Sequence, residues 1–285
     1  MKVRSLRPRH SLGAAILAVL AASAAFAQTE QHYVALTYMH TLPGKAAEFR
    51  KFAETDMIKI GQTGVDEGVL DAYYILRLTV PYVTGSDYDY VQAVWYKNRP
   101  SLASPDVKVW DARVKKAGYA NYQQYLDKRD SLAKLVRSTW RLAMARIGEI
   151  HTGNYMRTAT YEVDRDYRPI MAQFLREYTM PLAQGRMNEG KGAMGWGVTR
   201  PAPAMGSDDE AGFSYSVSVV LKDSDTLMGG PGAVTEEGFK KAVPGKSYSA
   251  YIVDLTRLNE HRKVTMTRIH EVIGVAGAPP TIKMP

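Results

Sequence analysis

The feature that most constrains this chain is an internal repeat. Tyr33 and Tyr155 stand 122 positions apart, and the same offset relates Phe52 to Phe174 and Glu67-Gly68 to Glu189-Gly190. It also relates Met144 to Met266, Arg146-Ile147 to Arg268-Ile269, and Glu149 to Glu271. Between these matches the offset drifts, as loop insertions would make it. Val114-Lys115-Lys116-Ala117 answers Phe239-Lys240-Lys241-Ala242 at 125, and Tyr122-x-x-Tyr125 answers Tyr248-x-x-Tyr251 at 126. Gly85-Ser86-Asp87 answers Gly206-Ser207-Asp208 at 121. Collinear matches of this kind predict one unit of about 120 residues present twice, and such a period decides the architecture before any single element does.

The unit reads the same way in both copies. Tyr33 to Met39 is a short aromatic and β-branched run, hence a strand. Pro43-Gly44 then opens a helix whose apolar residues Phe49, Phe52, Ala53, Met57 and Ile60 recur at helical spacing, with a break expected over Gly64 to Gly68. Strands follow at Leu70–Leu78 and Tyr88–Lys97, joined through the turn residues Gly85-Ser86-Asp87. A helical region over Asp106–Val136, broken near Gly118, and a last strand at Leu142–Ile150 complete the first copy. The second runs Tyr155–Val163 strand, Tyr167–Gln184 helix, Ala193–Thr199 and Phe213–Leu221 strands, a helical region within Glu236–Glu260, and a Val264–Val272 strand. Strand-helix-strand-strand-helix-strand is the ferredoxin-like order. The predicted fold is therefore α+β: two tandem ferredoxin-like (βαββαβ) repeats, over residues 28–151 and 152–285. Each sheet would carry helices on one face and need a partner on the other, which the second copy supplies. In Phe213–Leu221, Tyr215, Val217, Val219 and Leu221 share one face and Ser214, Ser216 and Ser218 the other. The apolar face suits packing under helices; the serine face suits a cavity or a wet interface.

Residues 1–27 read as a cleaved secretory leader. Lys2, Arg4, Arg7 and Arg9 precede an apolar run from Leu12 to Phe26, and Ala25-Phe26-Ala27 is a small-x-small cleavage signature before Gln28. The run is too short to span a bilayer. The formal charge of +8 falls to +4 once the leader's four basic residues leave, and no Lys/Arg run remains to track a phosphate backbone. The expectation is a soluble periplasmic or secreted protein with no membrane span after leader removal and no nucleic-acid partner. The chain has no cysteine, which removes disulfides, thiolate metal sites and a cysteine nucleophile.

The stretch His40-Thr41-Leu42-Pro43-Gly44-Lys45-Ala46-Ala47-Glu48-Phe49, placed directly after a first strand, resembles the dimeric α+β-barrel superfamily. That group includes antibiotic-biosynthesis-monooxygenase-like, EthD-like and NIPSNAP-like domains. The second copy departs from the motif, with Asp164-Arg165-Asp166-Tyr167 in its place. The resemblance implies an intramolecular dimeric α+β barrel with ligand clefts beside the sheet. The activities it implies are diverse: cofactor-free oxygenation, isomerisation, haem binding or degradation, and simple binding. A fold shared by so many chemistries does not select among them.

The candidate site residues come from several patterns. The odd separation in Arg146-Ile147-x-Glu149 and Arg268-Ile269-x-Glu271 puts Arg and Glu on opposite strand faces. Arg146 and Arg268 either hold an acidic ligand in the interior, since guanidinium pairs bidentately with carboxylate, or cap strand ends. His40, His151 and His270 lie near strand ends and are unrepeated, as an acid/base or haem ligand in one functional pocket would be. His40 and His270 are the candidate catalytic groups; His261, on a helix, is a further histidine that haem could meet. Tyr73, Tyr74, Trp95 and Trp196 lie in strands, with Tyr74 and Trp196 at equivalent repeat positions, and Tyr74, Trp95 and Trp196 are candidates to line an apolar cavity. Arg157 is an odd charge in a strand, where the first copy has Ala35. The histidines and carboxylates lack metal-site spacing, so no dedicated metal site is expected. Asp208-Asp209-Glu210 and Gly229-Gly230-Pro231-Gly232 read as a turn and a flexible connection. The leading expectation is binding of a small apolar or aromatic molecule in a barrel-side pocket, with no obligate cofactor. The alternatives are a cofactor-independent monooxygenase- or isomerase-like enzyme, a structural envelope protein, or a haem binder. A homodimer is compatible with each.

Overall fold

Eight strands, all paired antiparallel, close into a barrel in the order β1-β3-β2-β8-β5-β7-β6-β4. The structure is a computed structural model that describes residues 31–80, 87–96, 107–190, 192–202, 215–229 and 234–284. The proposed leader, Gly85-Ser86, Gly206-Ser207-Asp208, Asp209-Glu210 and Gly230-Pro231-Gly232 lie outside the described residues. The strands are β1 (Tyr33–Thr41), β2 (Leu70–Val80), β3 (Tyr90–Tyr96), β4 (Ala133–Gly148), β5 (Tyr155–Val163), β6 (Ala193–Pro201), β7 (Tyr215–Leu221) and β8 (Arg262–Gly277). In the first half the order is β4-β1-β3-β2 and in the second β8-β5-β7-β6, so each half has the ferredoxin-like strand order. Pairs β2–β8 and β4–β6 join the halves.

The helices lie outside the barrel, in two groups. Those of the first half are α1 (Ala46–Phe52), α2 (Ile58–Asp66), α3 (Val107–Ala117) and α4 (Tyr122–Asp130). The second half has α5 (Arg168–Phe174), α6 (Met180–Asn188), α7 (Ser224–Gly229), α8 (Glu236–Ala242) and α9 (Tyr248–Glu260). A π-helical turn joins α1 to α2 at Ala53–Met57, and another joins α5 to α6 at Leu175–Thr179. The two turns lie at the same place in their halves, 122 positions apart. Phe49, Phe52, Met57, Tyr73, Ile75 and Val114 centre the first helix-side core. Met171, Phe174, Trp196, Val198, Phe239 and Leu258 centre the second. A third cluster, with Val34, Tyr38, Tyr74, Leu76, Trp95 and Val272, fills part of the barrel interior.

The first helix ends at Asp66, within the expected Gly64–Gly68 break, and Gly68 follows at positive φ. The glycines before that end serve packing: a Cβ on Gly61 would lie 2.4 Å from the Tyr73 ring, and one on Gly64 would lie 2.7 Å from Leu70. Two expectations needed correction. The last strand of the first half begins at Ala133, nine residues before Leu142, because all of β1 pairs with it from Thr41↔Ala133 to Tyr33↔Leu142.

The second correction concerns the repeat itself. Register places Leu142 opposite Tyr33 and Glu271 opposite Tyr155, so β4 and β8 correspond at an offset of 129, not 122. Three irregularities agree. The β1–β4 register shifts between Tyr38 and Met39, and the β5–β8 register between Thr160 and Tyr161. The bulge at Met144 in β4 answers the one at Ile273 in β8. Gly148 and Gly277, both at positive φ, end the two strands. The matching Arg-Ile-x-Glu tetrads are thus seven residues out of register with each other. A smaller slip affects β2 and β6, where Tyr73↔Val94 corresponds to Trp196↔Val219. Tyr73, and not Tyr74, is the counterpart of Trp196. A one-residue slip in a strand reverses its face.

Candidate functional site in the barrel interior

A cavity of about 130 Å³ lies inside the barrel, between the two halves, rather than in a cleft beside the sheet. Eight-stranded barrels have an interior that side chains can just fill or that holds one small ligand. Here small residues leave space: Ala93, Gly197, Ser216 and Ser218 all line it.

The two walls differ in chemistry. The first half supplies Val34, Leu36, Leu76, Val91 and the rings of Tyr38, Tyr74, Tyr88 and Trp95. The second supplies the hydroxyls of Thr158, Thr160, Thr199, Ser216 and Ser218, interleaved with apolar residues such as Met156, Val220 and Met266. Lateral neighbours across four strand pairs read Arg146, Gly197, Ser218, Thr158, Arg268. The next row reads Ala143, Thr199, Ser216, Thr160, Met266. Thr158 and Ser218 share a hydrogen bond of 2.9 Å between their hydroxyls. The serine face of β7 therefore lines the cavity, while Tyr215, Val217 and Val219 face the helices.

Three arginines reach this space: Arg141, Arg146 and Arg268. Arg141 and Arg146 are five positions apart, so a regular strand would send them to opposite faces. The bulge at Met144 restores the same face to both, a known way for a strand to re-aim a side chain. Arg146 is 7% exposed, and its Nη1 donates to the carbonyls of Gly148 (2.7 Å) and Pro279 (3.3 Å). Burial holds the Arg146 pKa below its ordinary value, with Tyr74 acting in the opposite direction. The Tyr74 hydroxyl lies next to this guanidinium, is fully buried, and has no hydrogen-bond partner of normal geometry. Burial raises the Tyr74 pKa far above the phenol range, so it is a neutral O–H donor at any working pH.

The opposite strand ends carry a second cluster. Tyr88 OH and His270 Nε2 share a hydrogen bond of 3.1 Å, and their rings stack at 6.1 Å between centroids. Tyr88 also meets Tyr38 edge-on at 4.9 Å, with the Arg268 guanidinium 4.7 Å from its ring centroid. Burial, reinforced by Arg268, pushes the His270 pKa down to about 3. Its Nδ1 lies against the Met156 backbone of the paired strand, outside normal hydrogen-bond geometry. The imidazole is neutral across the physiological range.

Of the residues singled out from sequence, Tyr74, Trp95, Arg146, Trp196, Arg268 and His270 border the cavity. Trp196 belongs mainly to the helix-side core of the second half. Arg157 alternates with the lining residues Met156 and Thr158 and so points to the helix side of β5. His40 is half exposed at the end of β1, 3.3 Å from Asp89, and is away from the cavity. His151 is exposed and bonded to Glu149, and His261 stacks on Tyr167 while bonding to Asp164. Arg141, Tyr38 and Tyr88 were missed. Alternation with the outward Trp140 and Leu142 was a signal for Arg141; Tyr88 precedes β3 and gave none. Among the described residues no group of three or more His, Cys, Asp or Glu is placed to hold a metal.

No family model matches the chain, and no curated protein does. Solved structures do share its fold. A candidate monooxygenase from Lactobacillus acidophilus NCFM aligns with TM-score 0.52 at 11% identity, over 87% of this chain and 98% of its own. One from Fusobacterium nucleatum subsp. nucleatum ATCC 25586 aligns with TM-score 0.52 at 10% identity, over 90% and 99%. At this identity the likeness is one of fold alone: an α+β fold of the dimeric α+β-barrel type.

Proposed function

We infer that this chain is exported, loses residues 1–27, and binds one small, largely apolar or aromatic molecule inside its barrel. The observation that carries this reading is the cavity, lined mostly by aromatic and aliphatic side chains, with short hydroxyl side chains concentrated on the wall of the second half. Ligand sites of this composition, apolar with a few placed polar groups, are the usual binding pockets of globular proteins. Repeated strand order, repeated bulges and repeated π turns support an origin by tandem duplication of one βαββαβ unit. A purely structural envelope role would suit a filled barrel better.

The second reading is a cofactor-independent oxygenase- or isomerase-like enzyme. It is favoured by His270 beside the cavity and by the fold shared with two candidate monooxygenases. His270, rather than His40, would be its working histidine, acting as a neutral hydrogen-bonding group, because a base with a pKa near 3 is a poor proton acceptor at neutral pH. Haem fits poorly: His270 Nε2 is engaged by Tyr88, and Nδ1 faces the paired strand. Native mass spectrometry of protein purified from the periplasm tests the first reading. The expected species begins at Gln28 and carries a small organic molecule released on denaturation. A ligand-free protein whose melting temperature no aromatic compound raises would reject it.

A further inference from the structure

Resting on the binding reading above, we propose that the ligand is an organic acid: a small aromatic or branched aliphatic carboxylate, held by Arg146 and Tyr74, with its apolar body toward Trp95.

Three observations converge on this. Arg146 is buried on the cavity wall, and the acceptors that hold its Nη1 are two neutral carbonyls. The Tyr74 hydroxyl, buried beside that guanidinium, is a donor with no acceptor. A carboxylate between them would take a charge-assisted bond from the guanidinium and a second bond from the phenol, completing both groups. Finally, among the described residues the lining contains no Asp or Glu to compete for the Arg146 guanidinium. Beside a buried guanidinium an anion is favoured far more than it would be in water.

The shape limits which anion. The Trp95 ring centroid lies 6.4 Å from that of Tyr74, so an apolar surface begins beside the ring that carries one of the donors. Gly197 faces Arg146 across the β4–β6 pair, so no side chain on that strand packs over the Arg146 stem. An inorganic oxyanion would satisfy the donors and leave the apolar wall unused.

The test is calorimetric titration of the full mature chain with benzoate and phenylacetate, with their uncharged amides, and with inorganic phosphate. The expected result is an acid that binds at least about ten-fold tighter than its amide, the scale of one charge-assisted interaction. Arg146→Gln should bring acid and amide to similar affinity. Tyr74→Phe should weaken the acid several-fold, and by more than it weakens the amide, because the bond it removes is charge-assisted only with the acid. If Arg146→Gln fails to fold, Tyr74→Phe decides alone. Equal binding of acid and amide by the unmodified protein would overturn the charge assignment and spare the binding reading. Phosphate binding as tightly as benzoate would overturn the organic part. Failure of every acid and amide to bind would overturn both.

Discussion

A buried, neutral histidine makes stability depend on pH in a calculable way. His270 titrates at about 3 in the folded protein, against an ordinary value of 6.5. The folded form therefore resists protonation, while the unfolded chain binds a proton below pH 6.5. Unfolding takes up a proton across this window, so stability is complete above pH 6.5 and falls as the pH drops toward 3. The slope approaches about 1.4 kcal/mol per pH unit. At pH 5.5 the His270 contribution to the loss is about 1 kcal/mol, and at pH 4.5 about 3 kcal/mol. For a domain of marginal stability that is a large fraction of the total. The assay is urea unfolding at pH 7.5, 6.5, 5.5 and 4.5, for the unmodified protein and for His270→Gln. Glutamine keeps a hydrogen-bonding group for Tyr88 and removes the titration. The difference between the two proteins isolates this residue from the exposed histidines and the carboxylates, which both proteins share. A difference that stays flat between pH 6.5 and 4.5, or a His270 imidazole resonance, identified by its absence from His270→Gln, that titrates near pH 6 in the folded state, would refute the reasoning.

Two further perturbations test the packing that shapes the cavity. Gly61→Ala places a Cβ 2.4 Å from the buried Tyr73 ring. Overpacking costs about 1–3 kcal/mol against roughly 1 kcal/mol of gained helix propensity, so net destabilisation of about 1 kcal/mol is expected in urea. A stabilised variant would show that α2 is not pressed on β2. Ending the chain after Gly277 removes the Pro279 carbonyl from Arg146. It also removes the two backbone bonds, each 2.8 Å, between Arg146 and Ile282, and the buried Met284. With about 1 kcal/mol for each of these three lost hydrogen bonds and about 1 kcal/mol from lost apolar burial, the truncated protein should be less stable by about 4 kcal/mol. An unchanged melting curve would mean the tail is not part of the barrel wall.

Local chemistry alone carried much of the fold. Aromatic and β-branched runs marked the strands, and β5 lies at Tyr155–Val163, as its pattern predicts. The Phe49, Phe52, Met57 and Ile60 spacing marked the buried face of α1 and α2. Alternation in β7 separated a serine face from an apolar one, and the two faces are now the cavity wall and the helix-side core. Where local pattern was weaker, the boundary moved: Ala133–Arg141 is extended because β1 pairs with it, a partner that no window of sequence contains.

The succession of most strands and helices along the chain and the polar face of β7 were thus settled by the sequence itself, because each depends on residues within a few positions of one another. Only the tertiary structure decided which side chains share the cavity. Arg141 and Arg146 look inward together solely because Met144 bulges out of the β4–β6 ladder, and Trp196 turns to the helices because it aligns with Tyr73. The physical reason is the two-residue period of a strand: one inserted residue reverses every side chain beyond it, and whether a residue is inserted depends on the neighbouring strand.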